Sequence, residues 1–306
     1  MAMVQPVTSQ ATPNPIPQEN EAVTVITVTS GGPKNATTDP ETGLRYYEWQ
    51  GRKLPSSTSL RRMAGLPFKL HQWAISKVVQ RAVDEHLILR QMLDRPKRPR
   101  ERVRDKNVAK EAGKWLRSAA TEERDAAAEL GTYVHDCAVR RTPLSQVDPI
   151  ARPYLINFYD WVATSGCNII ATEKQVFNLT DGYAGTFDLL VEWPDNGDIG
   201  VIDLKTGSGT YNDHALQLVS YAMGEFIGED DVIDVALTKA LHQANTMALL
   251  HLSEDGWRYQ RIPAKPELMT AFRGLIAYAT WMAANPDLAP LADEDIGGGI
   301  PLVNQP

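Results

Sequence analysis

The clearest alternation of apolar and polar positions lies between residues 183 and 205. Thr180-Asp-Gly-Tyr183 is a turn signal, because Asp-Gly tolerates positive φ. Tyr183 to Glu192 then reads as a strand, Pro194-Asp-Asn-Gly-Asp198 as a second turn, and Ile199 to Lys205 as the next strand. Short consecutive strands joined by such turns favour antiparallel pairing. Further strands are predicted at Leu44–Trp49, Val232–Leu241, Met247–Leu252 and Trp257–Ile262. A turn at Gly51-Arg-Lys-Leu-Pro55 leads into Ser56-Ser-Thr-Ser-Leu60, a helix-start pattern. Helical periodicity covers Ser59–Ala64, Phe68–Leu93, Ala109–Glu129, Gly131–Arg141, Tyr154–Ser165, Asn212–Phe226 and Pro266–Ala284. Trp73, Ile75, Val78, Val79, Val83, Leu87 and Leu89 give the second of these an apolar face, expected to be buried. Together these elements predict an α/β fold, a central mixed β-sheet flanked by helices with an N-terminal helical portion that arches over a cleft.

Composition narrows the class. The 306 residues include 43% hydrophobic positions, enough for a sizeable core. A formal net charge of −7 argues against a protein that coats DNA nonspecifically, while leaving room for local positive charge. Cys137 and Cys167 are the two cysteines, too few for a disulfide framework, which fits a reducing cytoplasm. No apolar run approaches the ~20 residues that span a bilayer, and the N-terminus lacks the basic start and apolar stretch of a secretory signal. Residues 1–42 are rich in Pro, Thr, Gln, Asn and Ser and are expected to be a disordered tail, in which Ala22–Val28 alternates like an edge strand. The stretch 287–306 is expected to be a second tail. No internal repeat is visible.

The candidate chemistry sits on the two central strands. Side chains alternate along a strand, so Val201, Asp203 and Lys205 share one face and Ile202 and Leu204 the other. An adjacent antiparallel strand can bring Asp188 beside Asp203. Two neighbouring carboxylates repel, and burial raises the pKa of at least one. A hard divalent cation removes that conflict. Lys205 can then orient or help deprotonate a water, or hold a phosphate oxygen. An isolated Asp-x-Lys is more often a surface ion pair, and a lone His135 on a helix more often a packed residue. Gln217 and Tyr221 lie at i and i+4 and share a helix face, either in the core or against DNA. Thr206-Gly207 after Lys205 offers phosphate contacts, but the glycine spacing of a nucleotide-binding loop is missing. The run Pro96-Lys-Arg-Pro-Arg100, with Arg102, Arg104, Lys106 and Lys110, is either a solvated loop or a phosphate contact. Trp73, Trp115 and Tyr133 read as core.

Taken in order, these motifs resemble the PD-(D/E)XK nuclease superfamily, in its RecB-like exonuclease branch, found in recombination enzymes and many phage genomes. Gly131-Thr-Tyr-Val-His135 is similar to the upstream Gly-x-x-x-His motif, Gly185-Thr-Phe-Asp188 to the first acidic motif, Asp203-Leu-Lys205 to (D/E)XK, and Gln217 with Tyr221 to Gln-x-x-x-Tyr. Glu173, ahead of Val176-Phe177, matches an acidic position that often precedes the first motif. Phe187 stands where the nominal pattern has Pro. The resemblance implies a restriction-endonuclease-like core within a domain spanning 43–286, helical over 43–165 and catalytic over 166–286. It implies Mg²⁺ or Mn²⁺ held by Asp188, Asp203, His135, the Leu204 carbonyl and Glu173, with Lys205 positioning the attacking water. Gln217, Tyr221 and Thr206 are expected on the DNA. Some relatives carry a four-cysteine iron–sulfur cluster; two cysteines cannot supply one. The expected activity is metal-dependent DNA exonuclease action in replication, recombination or end processing, with DNA as partner and a separate helicase or recombinase as a further one. The alternatives are an endonuclease, and a noncatalytic DNA-binding or assembly protein on the same scaffold.

Overall fold

A computed structural model describes residues 36–40, 44–63, 68–94, 106–207, 209 and 212–284. Seven strands form a mixed sheet. They are β4 (Asn168–Asn178), β5 (Tyr183–Trp193), β6 (Asp198–Lys205), β7 (Phe226–Glu229), β8 (Val232–Ile233), β9 (Thr246–Leu252) and β10 (Trp257–Ile262). Their spatial order is β10-β9-β6-β5-β4-β7-β8. The pair β6–β9 is parallel and the other pairs are antiparallel. A parallel neighbour requires a crossover. Here it is supplied by α6 (Asn212–Ala222), the β7–β8 hairpin and α7 (Val235–Gln243).

The sheet separates two cores. One holds Val201, Leu218, Val219, Tyr221, Leu241, Leu249 and Phe272, between the sheet and α6, α7 and α8 (Pro266–Ala284). The other holds Val134, Leu155, Phe158, Trp161, Ile202, Leu204 and Leu250, between the opposite face and two helices, α4 (Lys106–Arg140) and α5 (Arg152–Ser165). Val201 on one side and Ile202 with Leu204 on the other reproduce the alternation expected for β6.

A second sheet, β1 (Ala36–Thr38), β2 (Arg45–Trp49) and β3 (Arg52–Pro55), packs across the far end of β4 and β5. Trp49 lies 4.6 Å from Phe177 and 4.7 Å from Phe226, centroid to centroid. Tyr47 and Thr186 share a hydroxyl–hydroxyl hydrogen bond of 2.9 Å. The chain then enters α1 (Ser57–Arg62), capped by the Ser56 hydroxyl on the Ser59 N–H.

Several elements differ from the sequence reading. Ala36–Thr38 forms a strand inside the stretch expected to be a tail, because its backbone pairs with β2. Arg52–Pro55 is a strand rather than a turn; the turn is confined to Gln50-Gly51, both at positive φ. The helix expected over Phe68–Leu93 divides at Glu85 into α2 (Phe68–Asp84) and α3 (His86–Leu93). Conversely, α4 runs unbroken through Gly131. Val232–Leu241 is a two-residue strand followed by α7, because Asp234 caps the helix through the Leu237 N–H. Phe226 belongs to β7 and not to the preceding helix.

The apolar face expected to be buried on α2 and α3 is largely open: Ile75, Val79, Val83 and Leu87 are exposed. Tyr133 is also exposed, and its hydroxyl accepts the Asp148 N–H. The basic run over residues 96–104, the Ala22–Val28 stretch and the 287–306 segment lie outside the described residues. Among the described residues, no helix is long and apolar enough to cross a membrane.

Candidate metal centre

Strand register assembles the acidic site. In β4–β5 the pairs Thr172↔Leu189 and Lys174↔Phe187 flank Glu173 and set it across from Asp188. In β5–β6, the pair Leu189↔Ile202 sets Asp188, one step on, across from Asp203. Glu173, Asp188 and Asp203 therefore form a row across three adjacent strands. Glu173 has φ +49°, a left-handed conformation that is rare for a residue other than Gly, Asn or Asp.

The fourth member arrives from a helix. Gly131 lets α4 approach the exit of β6: a Cβ there would sit 2.8 Å from the Thr206 hydroxyl. One turn later His135 places Nδ1 3.8 Å from the Asp188 carboxylate. Ligand atoms of His135, Glu173 and Asp188 lie within 4.8 Å of one another. Asp188 also accepts the Leu204 N–H at 2.5 Å. The Leu204 carbonyl leaves the strand on that same side, as both backbone groups of a ladder residue do.

Asp203 is fully buried and forms an ion pair with the Lys205 ammonium. Beyond that pair, neither of its oxygens accepts a hydrogen bond among the described residues. Gln175 and Gln217 likewise each bury a side-chain oxygen without a hydrogen bond. Burial first, then Asp188, Asp136 and Asp203, push the Glu173 carboxyl up to about 8, against the pull of Arg45. Burial also raises Asp203, opposed by Lys205 and reinforced by Asp188. Crowded carboxylates with unsatisfied oxygens and one imidazole suit a hard divalent cation, which takes oxygen ligands and relieves their mutual repulsion.

The structure thus brings His135, Glu173, Asp188, Asp203, Leu204 and Lys205 together. The residues expected on DNA are placed differently. Tyr221 is 1% exposed and cannot touch DNA in this conformation. Its ring packs beneath Gly185, where a Cβ would lie 2.6 Å from Tyr221 Cε1, and its hydroxyl accepts a 2.6 Å hydrogen bond from Gln217 Nε2. Gln217 is also buried, so this pair forms the floor of the site rather than its rim. Thr206 is partly exposed beside Gly131.

Sequence reasoning missed His214 on α6, whose pKa falls to about 4 through burial and then through Lys205 and Arg61. It also missed Arg45, Arg61, Arg62 and Arg124, scattered over three elements. No local spacing announces them. Cys137 and Cys167 are free thiols and both are buried.

No protein-family profile and no curated protein matches the chain. A solved structure, that of SSO0001, aligns with 50% of this chain and 72% of its own at 19% identity, with a TM-score of 0.28. A likeness that low carries no argument about role.

Proposed function

We propose that this chain is a metal-dependent deoxyribonuclease, and specifically an exonuclease acting on DNA ends in replication, recombination or end processing. The observation that carries this reading is the three-strand row Glu173–Asp188–Asp203, with Lys205 at its end and His135 above it. His135, Glu173, Asp188 and Asp203, with the Leu204 carbonyl, would hold Mg²⁺ or Mn²⁺. Such an ion supplies an activated water at neutral pH and polarises the phosphodiester.

The protein's own groups set the conditions. Asp188 is fixed by the Leu204 N–H, so its free oxygen faces His135 and Glu173. Glu173, whose carboxyl is pushed up to about 8 and so holds its proton at neutral pH, releases that proton on taking a cation. Lys205 has its charge balanced by Asp203, which holds the ammonium where it can orient a water or take a phosphate oxygen as a point charge. The Gln217–Tyr221 pair supports Gly185 and the strand that carries Asp188. A noncatalytic scaffold would need none of these charges buried together.

The test is digestion of end-labelled linear duplex, linear single strand and closed circular DNA with Mg²⁺, Mn²⁺ or EDTA. Asp203→Ala and Lys205→Ala run beside the wild type. Metal-dependent loss of linear DNA alone, absent in both variants, is the expected result. Cutting of the circle makes the chain an endonuclease. Binding without cleavage in any metal refutes the enzyme reading in favour of a DNA-binding role.

A further inference from the structure

We propose that Arg45, Arg61, Arg62 and Arg124 form a seat for the phosphate backbone of a DNA strand beside the carboxylate row. This deepens the nuclease reading and rests on it for the identity of the polyanion. The four residues come from β2, α1 and α4. β2 and α1 are tied together, and Arg124 of α4 lies near enough to act on the charge of Arg62. The Arg45 N–H donates to the Ser59 hydroxyl at 2.8 Å, joining β2 to α1. Arg61 reaches Asp213 on α6 at 3.3 Å. Arg62 is exposed, yet partial desolvation and then the charges of Arg61, Arg45 and Arg124 act on its guanidinium in the same direction, against the charged form.

Like charges gathered in this way favour a bound anion. The acidic groups facing them are already engaged. Asp213 pairs with Arg61, Asp125 with Arg124, and Glu173 belongs to the carboxylate row although it feels Arg45. Arg62 has neither a hydrogen bond nor an ion pair among the described residues. Arg61 buries Nε and Nη1 with no hydrogen bond to either, even though the Asp213 carboxylate is near. Unmade hydrogen bonds to buried charged donors are costly. Phosphate oxygens match the guanidinium fork and would satisfy them.

The position favours a polymer over a small anion. Arg45 lies within electrostatic reach of Glu173, so one edge of the cluster borders the carboxylates. Arg124 and His135 sit 11 residues apart on the same helix. That is close to three full turns, which places them on one face about 16 Å apart. A small anion would meet repulsion from three carboxylates at one side. A nucleic-acid strand can lay successive phosphates on the arginines and deliver another to the metal centre. The overall negative charge of the chain is then compatible with DNA binding, because positive charge is concentrated where the strand runs.

The experiment measures duplex binding by fluorescence anisotropy in EDTA between about 50 and 200 mM salt, alongside steady-state digestion in Mg²⁺. Wild type is compared with Arg45→Gln, Arg62→Gln, Arg124→Gln, the Arg62→Gln/Arg124→Gln double variant and Arg62→Lys. Arg61 is left intact, because its Asp213 pair also joins α1 to α6. Each neutral variant should reduce the slope of log K against log salt by about 1 and raise KM several-fold, with kcat nearly unchanged. Arg62→Lys should restore the slope. Thermal melting confirms that each variant is folded. Unchanged slope and affinity in the folded double variant, or a wild type that does not bind DNA, overturns the proposal. Salt-dependent binding that the variants weaken, without cleavage by wild type in any metal, keeps the seat and refutes the nuclease reading instead.

Discussion

Replacing Glu173 with Gln should make the metal-free protein more stable at pH 8, and should remove most of its pH dependence above neutrality. The carboxyl has an ordinary value of 4.5 and is pushed up to about 8 in the fold, chiefly by burial and then by Asp188. A carboxyl raised in this way holds its proton more tightly when folded than when unfolded. Between the two values the folded state binds more protons, so stability falls as pH rises. Each pH unit inside the window is worth about 1.36 kcal/mol. His214 acts in the opposite sense. Buried neutral, with its pKa lowered from 6.5 to about 4, it removes stability as pH falls through that range. The interval that Glu173 dominates is therefore pH 6.5 to 8, where His214 is neutral in the fold and at most half protonated in the unfolded chain. Over it, Glu173 alone should cost about 2 kcal/mol. For a domain of about 150–250 residues that corresponds to roughly 4–8 °C in Tm. The assay is thermal or urea unfolding in EDTA at pH 6.5, 7.25 and 8. Wild type should lose stability across the series and Glu173→Gln should stay nearly flat. Added Mg²⁺ should raise the wild-type Tm more at pH 8 than at 6.5, because the cation displaces the proton. The same slope in Glu173→Gln as in wild type would mean that the pH dependence arises elsewhere and that Glu173 does not hold a raised carboxyl.

Gly185→Ala forces a Cβ to 2.6 Å from Tyr221 Cε1 and 2.9 Å from the Ser57 hydroxyl, both buried, and should cost about 1–3 kcal/mol in urea unfolding. Tyr221→Phe removes the acceptor of the buried Gln217 amide and should cost about 1–3 kcal/mol, while leaving DNA affinity in EDTA unchanged; a weakened affinity would restore Tyr221 to the DNA interface. Gly131→Val drives a side chain into Thr206 and tilts the turn that carries His135; calorimetric titration should show Mn²⁺ affinity about tenfold lower with the fold retained.

The legible parts of this chain were those governed by local rules. Asp-Gly and Asn-Gly turns fixed the limits of β5 and β6, and the period of two put Asp203 and Lys205 on one face. Pro266 opened α8 as expected. The errors arose where tertiary contacts override local preference. Gly131 reads as a helix breaker, yet α4 passes through it because the missing side chain admits Thr206. Gly224 marks the end of α6 and a close approach to Val176, a signal that the apolar continuation into Phe226 obscured. Asp234 was a readable cap, but the apolar residues after it also fit a strand. Periodicity identified an apolar stripe on α2 and α3 and could not tell whether anything covers it. At the site, motif order located His135, Glu173, Asp188 and Asp203. It could not tell that Tyr221 points inward, because i and i+4 spacing is the same for a core face and a binding face. The arginine cluster was invisible, since its members come from three elements that meet only in the fold.

The energetics of the carboxylate row favour a bound cation over a structural ion pair. Three separate penalties meet within one patch of sheet. Glu173 holds a left-handed backbone conformation, which costs on the order of 1–3 kcal/mol in a residue with a side chain. It also carries a carboxyl that resists ionisation at neutral pH. Asp203 is fully buried with only Lys205 to balance it. A structural role explains one buried Asp–Lys pair. It does not explain a second and third carboxylate in the same row, nor strained backbone at the outermost one, because apolar side chains at those positions would pack without penalty. On the proposed reading, a divalent ion would offset all three terms at once: it would neutralise the row, face the unsatisfied Asp203 oxygens, and give the conformation at Glu173 a reason to be held. If a metal is held here, metal affinity and stability should rise and fall together across variants of Glu173, Asp188 and Asp203.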